Sequence, residues 1–424
     1  MVGALVPVFF AFLIFGLPIF AALALAVAAA FYFWGGLDPV LVPMRMFSGM
    51  NNFSLMSIPF FILAAELMRI GGLSDRLINL ARAIVGWLPG GLAAAAVVAC
   101  LMFGSISGSS PATVIAIGSI LYPAMVKAGY DKYFSIGLIT TAGTLGPIVP
   151  PSIALIIYGS ATGTSVGKLF AAGLLPAILI GGILIAYASW YSARKGYPRD
   201  AMPTLAGILG ALKSAAWGLG LPVILLGGIY SGVFTPTESA AAACLYGWLV
   251  GAVIYRSISL RETLTVLRNT GLISGPLLLI TAGASAFSWL LASSGTPAQL
   301  AGYILSDTSN GFVVMALFNL ILLVAGCFLD SASAIIILGP LMMPIAQQVG
   351  VDPIHFGVIM LVNLSVGMLT PPVGLNLFVA MGVANMKLGE VFRATLPTIL
   401  LMLLALLILT YVPVISMLLP DTMF

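Results

Sequence analysis

The sequence predicts an all-α polytopic membrane protein, an inverted repeat of five spans plus one re-entrant hairpin in each half. Three observations carry that prediction. The 424 residues are 61% apolar and only 7% charged, with a mean hydropathy of +1.18. A soluble fold of that composition would have too little polar surface to cover it. The chain also repeats itself 221 positions later: Gly118 falls on Gly339, Pro123 on Pro344, Gly129 on Gly350, Asp131 on Asp352, Gly146 on Gly367, and Pro176 on Pro397. In the same register Pro150 and Pro151 fall on Pro371 and Pro372. Finally, of 16 lysines and arginines, all but Arg45 and Lys168 fall on one side of the predicted spans. The positive-inside rule makes the crowded side cytoplasmic and puts both termini on the other.

The elements follow in order, at roughly 17–25 residues per span. The first 35 residues are too long for one upright span, and Gly16-Leu17-Pro18 divides them. They carry no basic leader region, so no cleavable signal is expected. A connector bearing Arg45 leads to a span at 54–68. At 73–87, helical spacing beside Asp75, Arg76 and Arg82 predicts an amphipathic helix at the membrane interface. Residues 91–126 read as a re-entrant hairpin with a small polar tip at 104–111 (Gly-Ser-Ile-Ser-Gly-Ser-Ser-Pro), because arms of about 13–15 residues do not each span. A broken span at 132–162 and a full span at 169–193 complete the first half, 1–193. The polar, proline-bearing stretch from 194 opens a cytoplasmic connector, 194–215.

The second half, 216–424, repeats this order. Spans are expected at 216–233 and 236–255, with Pro236 in the place of Pro18. An amphipathic stretch with Arg256, Arg261 and Arg268 precedes a span at 271–293, and a surface helix at 296–308 carries no lysine or arginine. The second hairpin occupies 311–347 with its tip at 326–333, the second broken span 354–385, and the last span 395–418. Five crossings per half invert the second half relative to the first.

Backbone that gives up helical hydrogen bonds at membrane depth is tolerated only where it is buried in protein or lines a wet site. A matched pair of such breaks points to the binding site of a secondary transporter. Two pockets are therefore expected. One combines Ser105, Ser107, Ser109 and Ser110 with the stretch 143–151. The other combines Asp330, Ser331 and Ser333 with 367–373, including Thr370. Prolines free the carbonyl four residues earlier, and carbonyl and hydroxyl oxygens are hard ligands suited to an alkali cation. Half-helix N-termini at the same place suit an anion. Asp330 is the sharpest residue: a carboxylate at that depth costs about 2.5–3.5 kcal/mol on insertion scales, so a partner is expected. With no cation nearby in sequence, that partner is a bound cation or a proton.

Other features read more plainly. Glu66 can pair with Arg69 one turn on, Glu238 complements a helix N-terminus after Thr235 and Pro236, and His355 reads as a residue of a surface turn. Cys100, Cys244 and Cys327 lie in apolar runs without CxxC spacing and read as core. Metal-spaced clusters, P-loops and dinucleotide fingerprints are missing from the sequence, and GxSxG at 104–108 lacks the strand–turn–helix context of a nucleophile elbow. Neither an enzyme nor a nucleic-acid partner is expected.

Five stretches resemble the large membrane subunit of tripartite ATP-independent periplasmic (TRAP) transporters. They are Ser-Gly-Ser-Ser-Pro-Ala-Thr at 107–113, Gly-Pro-Ile-Val-Pro-Pro-Ser at 146–152, Ala-Arg-Lys-Gly-Tyr-Pro at 193–198, Phe-Thr-Pro-Thr-Glu at 234–238 and Leu-Thr-Pro-Pro-Val-Gly-Leu at 369–375. The tip at 107–113 and the end at 411–416 are most similar to the dicarboxylate type; sialic-acid-type members share the scaffold. The resemblance implies an elevator-type ion-transporter fold with scaffold and transport domains in a bacterial inner membrane, bathed by membrane lipids. It implies sodium-driven uptake of a carboxylate substrate, delivered by a periplasmic substrate-binding protein. A small four-helix membrane subunit is the further partner, expected as a separate chain. Carried over by motif, one Na+ site uses Ser107, Ser109, Gly146, Val149 and Pro151, and a second uses Gly326, Asp330, Gly367, Thr370 and Val373. Ser105, Ser110, Thr144, Ser331 and Ser333 fall in the expected substrate vicinity. The alternative reading is an autonomous sodium- or proton-coupled carboxylate carrier; a passive channel is the rival from another class.

Overall fold

The computed structural model describes residues 2–34, 38, 40–295, 299, 302 and 310–424. The surface helix expected at 296–308 lies almost wholly outside them. Among the described residues nine helices are long and apolar enough to cross a bilayer, ten with the bent pair at 132–162 counted as one span.

The Gly16–Pro18 break separates α1 (Val2–Ile14) from α2 (Ile19–Trp34). The expected Arg45 connector is instead a helix, α3 (Leu41–Met50). Pro43 sits in its first turn, where a missing N–H costs nothing. Gly49 lets α3 close onto a long helix further on, because a Cβ there would collide with Ser285 at 2.1 Å. After a 3-10 turn at Phe53–Met56 come α4 (Ser57–Ile70) and the amphipathic α5 (Leu73–Val85). Leu73, Leu77 and Ala81 are buried along one face of α5, while Arg82 pairs with Asp200 at 2.6 Å. The guanidinium holds the Asp200 carboxyl below its ordinary range, and the pair ties α5 to the connector after the first half.

The first hairpin is α6 (Gly91–Ser107) and α7 (Ser110–Lys127). Its arms run 17 and 18 residues, longer than the sequence reading allowed, because both helices continue through the serines to the tip. The broken span is α8 (Lys132–Ala142), α9 (Leu145–Ile148) and α10 (Ile153–Thr162), bent by 42°. Ser152 caps α10 by accepting from the Leu155 N–H at 3.2 Å. The full span α11 (Val166–Lys195) ends at Gly196.

Half of the expected connector is helical: α12 runs Leu205–Tyr230, capped by Thr204. In α13 (Pro236–Leu249) Glu238 forms a capping box with Thr235, as the plainer reading of that carboxylate had it. Arg256 lies before the next helix at φ 52, and from Leu260 on the Arg-rich stretch and the next span are one helix, α14 (Leu260–Ser293). At 1.5 Å per residue it is about 51 Å long, so its first turns reach past a hydrocarbon core of about 30 Å.

The second hairpin is α15 (Gly311–Phe328) and α16 (Ser331–Gln348), and the second broken span is α17 (Pro353–Gly367) and α18 (Leu375–Ala384). The last span, α19 (Leu388–Tyr411), stops before Pro413, and a short α20 (Val414–Met423) follows. That turn buries His355, which the sequence placed at the surface. Its Nδ1 lies 2.6 Å from Ser416 Oγ and its Nε2 3.4 Å from the Thr410 carbonyl.

The helices pack as two groups. Hairpins and broken spans interlock across the repeat, α10 with α16, α7 with α18 and α8 with α19. Against them stands a second group in which α14 packs on α2, α3 and α4, and α13 on α4 and α12. Contacts of α14 with α16 and of α4 with α6 join the two, as does α5, which packs on both α6 and α12.

Candidate functional site

Each hairpin tip is seated on its chain break by a pair of glycines. A Cβ on Gly104 would lie 2.9 Å from the Cα of Gly146, and one on Gly367 would lie 2.5 Å from the Cα of Gly326. The close approach recurs in both copies at repeat-related positions. Gly326 falls one residue out of register with Gly104 because the second tip is one residue shorter.

In the first copy Gly108 turns the chain at φ +57, and a Cβ there would meet the Pro151 carbonyl oxygen at 2.8 Å; only glycine fits. Ser109 is extended and leaves the N-terminus of α7 without a side-chain cap. Thr113 donates to the Ser109 carbonyl at 2.7 Å and lies 2.9 Å from Ser107 Oγ. Gly146 closes the group, since its Cβ would come within 2.6 Å of Thr113 Oγ1 and 2.7 Å of the Ser109 oxygen. Ser107, Ser109, Gly146 and Pro151 are thus brought together. Val149 lies in the same break between α9 and the cis bond joining Pro150 to Pro151. All of 143–152 is buried.

The second copy is built alike but more open. Val373 and Gly374 donate from their backbone N–H groups to the Cys327 carbonyl, each at 3.2 Å, tying break to tip. Thr370 donates its hydroxyl to the Val366 carbonyl at 3.2 Å. Asp330 caps α16, its Oδ2 accepting from the N–H groups of Ala332 at 3.0 Å and Ser333 at 3.2 Å. Its Oδ1 accepts from the Ser333 hydroxyl. Besides the bound cation or proton the sequence called for, the carboxylate thus has the N-terminus of its own helix and one hydroxyl as partners, which suit it well. Pro372 is exposed and Val373 is 39% exposed.

Both tips meet one cavity of about 440 Å³ rather than two separate pockets. Residues from Ser107 to Ala112 of the first tip and from Asp330 to Ala332 of the second border it. The opposite wall is a stripe of α4 at helical spacing, Ile62, Ala65, Glu66 and Arg69, with Leu272, Ile273, Pro276 and Leu277 of α14. Glu66 and Arg69 are paired at 2.8 Å, as expected. Pro276 has no N–H to give the Leu272 carbonyl four residues earlier. Of the expected substrate-vicinity residues, Ser110 and Ser331 border the cavity. Ser105, Thr144 and Ser333 do not; Ser105 and Thr144 donate to the carbonyls of Met102 and Thr141 three residues earlier.

Two residues of the site were not singled out in the sequence. Thr113 bridges Ser107 and Ser109. Asn376, fully buried, donates to Ser110 Oγ at 2.5 Å and links the second break to the first tip; its Oδ1 has no partner among the described residues. Its one signal was to be the lone amide in the apolar run after Pro372. Among the described residues no group of three or more His, Cys, Asp or Glu could hold a metal ion. The oxygens at the tips are carbonyls, hydroxyls and one carboxylate, a donor set for hard cations.

Comparison with known proteins gives the family. The family described as "Tripartite ATP-independent periplasmic transporter, DctM component" matches residues 6–415. The chain is 41% identical over 426 residues to the C4-dicarboxylate TRAP transporter large permease protein DctM of Rhodobacter capsulatus, covering 97% of each chain. It is 38% identical over 380 residues to the ectoine/5-hydroxyectoine TRAP transporter large permease protein UehC of Ruegeria pomeroyi, covering 90% of this chain and 89% of that one. It is also 43% identical over 407 residues to the isethionate TRAP transporter permease protein DctMQ of Oleidesulfovibrio alaskensis; the match takes in 96% of this chain but only 64% of that protein's length. Among solved structures the YdaH transporter of Alcanivorax borkumensis superposes with a TM-score of 0.60 at 16% identity, over 91% of this chain and 89% of that one. That likeness is one of fold. A match from residue 6 to residue 415, with relatives of like length and above 40% identity, leaves no other assignment: the chain belongs to the tripartite ATP-independent periplasmic transporter family, as its DctM component.

Proposed function

We propose that the chain is the large permease of a sodium-coupled system that takes up an organic anion, and that it works by an elevator motion. The observation that carries this reading is the single cavity shared by both tips. The hairpin-and-break group offers oxygens and helix N-termini on one wall, and α4 and α14 offer a smooth, mostly apolar surface on the other. A rigid body bearing the site can slide along such a surface. Two oxygen clusters behind the tips, the first at Ser107, Ser109, Gly146, Val149 and Pro151 and the second at Gly326, Asp330, Gly367, Thr370 and Val373, would each hold one Na+. Their charge would complement an anion at Ser110 and Ser331. The relatives' names favour C4-dicarboxylates as the substrate class, with sialic-acid-type carboxylates as the second class to be tried.

The charge pattern supports an inner-membrane protein of two inverted halves, 1–193 and 216–424, with both termini periplasmic. On this reading the shared cavity, which reaches Arg69, opens toward the cytoplasm. A periplasmic binding protein and a small four-helix membrane subunit complete the system.

The test is reconstitution into lipid vesicles with both partners under an inward sodium gradient. Concentrative succinate uptake is expected, falling to background when the gradient is collapsed or the binding protein is left out. Uptake by this chain alone would make it an autonomous carrier instead, and uptake indifferent to sodium would make it a channel or a differently coupled system. Ser107→Ala, which removes a hydroxyl from the first cluster, is expected to raise the half-saturating sodium concentration about tenfold, equivalent to about 1.4 kcal/mol. An unchanged sodium curve would remove Ser107 from the ion site.

A further inference from the structure

A second cavity, of about 530 Å³, lies further along the same three helices. The tip cavity meets α10 at Ile153 and Ala154, α14 from Leu272 to Leu277, and α16 at Ser331 and Ala332. The second meets α10 from Ile157, α14 from Thr281 to Trp289, and α16 at Ile336 and Pro340. On each helix the step from one lining to the next is three or four residues, about 4.5–6 Å of rise. The two cavities are therefore strung along one continuous surface.

The charge in the second cavity is Arg45, from α3. Its guanidinium lies over the Trp289 ring, 4.5 Å from the centroid. It pairs with no carboxylate among the described residues, and no aspartate or glutamate borders the cavity. The rest of the polar lining is neutral, including Asn51, Ser160 and Ser288. Asn52, also on the wall, donates to Ser160 Oγ at 2.9 Å and so spans from the α3 side to α10. Gly49 seats α3 on α14 one turn past Arg45, which fixes the charge relative to the indole. Arg45 is also one of only two cations on the side the charge pattern leaves poor in them.

We propose that this cavity is a second anion site, in which Arg45 receives a carboxylate of the organic anion on the extracytoplasmic side before it reaches the tips. The inference rests on the reading of the chain as an organic-anion transporter. A guanidinium held against an indole keeps its charge, and its N–H fork is the group that takes a carboxylate bidentately. With no acidic neighbour among the described residues its positive field stands uncompensated there, and the cavity walls concentrate it on an entering anion. When the hairpin group slides along α14, the tips exchange one cavity for the other, so Arg45 would stand beside the site in its outward position.

The direct test uses the full chain in lipid nanodiscs with five of its six tryptophans changed to phenylalanine, leaving Trp289. Succinate is expected to change the Trp289 fluorescence saturably, with or without sodium. Arg45→Gln should weaken the apparent affinity at least tenfold and Arg45→Lys, which keeps the charge and loses the fork, about threefold. The same change in Arg45→Gln as in the parent overturns the proposal. A second measurement needs no tryptophan replacement: in the complete vesicle system Arg45→Gln should raise the half-saturating concentration of loaded binding protein about tenfold, with the maximal rate within twofold. Lys168→Gln, the other outer cation, should change neither. A loss confined to the maximal rate would mean a structural role and also overturn it. Absence of uptake in the wild type would defeat the transport reading. The fluorescence titration separates that failure from this one, because only loss of the Arg45-dependent signal speaks against the anion site itself.

Discussion

Gly367→Ala is expected to cut sodium-driven uptake at least tenfold while the protein still reaches the membrane. The added Cβ would lie 2.5 Å from the Cα and 2.6 Å from the carbonyl carbon of Gly326. Both are backbone atoms, so no flexible side chain can swing aside, and tip and break must part. Overpacking of this kind costs about 1–3 kcal/mol, and at about 1.4 kcal/mol per factor of ten a tenfold loss lies within that range. Gly382→Ala, in α18, is the matched control: nothing lies within 4 Å of its Cβ, and uptake should be unchanged. Gly104→Ala, at 2.9 Å from the Gly146 Cα, should repeat the defect in the first copy more mildly. Wild-type uptake in Gly367→Ala, at equal protein per vesicle, would show that the contact between tip and break does not shape the working site.

What the sequence made legible is what is encoded locally. Prolines and glycines interrupt helices within a few residues of themselves, so both breaks, both tips and the division at Gly16–Pro18 could be read without knowing any contact. The repeat added the pairing of tip with break, because two copies of a coincidence are hard to dismiss. Misreadings cluster where a long-range contact decides the outcome. His355 looked like a surface residue because its burial depends on Ser416, 61 positions away. Asn376 drew no notice because its partner Ser110 lies 266 positions earlier. Arg45 looked like part of a connector, since ten residues of α3 carry too little pattern until α14 lies beside them. The stretch with Arg261 and Arg268 looked interfacial because its charges interrupt the apolar pattern, and charge alone does not say whether a helix also ends there.

Asp330→Asn is the variant that separates the two roles its geometry supports. As a cap, the carboxylate accepts from the N–H groups of Ala332 and Ser333 and from the Ser333 hydroxyl. Asparagine caps about as well as aspartate, whereas alanine forfeits about 0.5–2 kcal/mol. A residue that only caps α16 would therefore lose little as asparagine and clearly more as alanine, in thermal stability and uptake together. A residue that also balances a cation behaves differently. Asparagine keeps the fold and removes the charge, so the half-saturating sodium concentration should rise at least tenfold while thermal stability stays close to wild type. We expect that second pattern. The carboxylate stands beside the more open break, at exposed Pro372 and Val373, where a bound cation competes with water and neutral oxygens alone hold it weakly. The enclosed first break at 143–152 has no carboxylate and no such competition, so Ser109→Asp at the repeat-related cap should leave the first cluster tighter rather than restore the second. A sodium curve for Asp330→Asn that superposes on wild type would reduce Asp330 to a helix cap and remove the only charged ligand from the proposed ion sites.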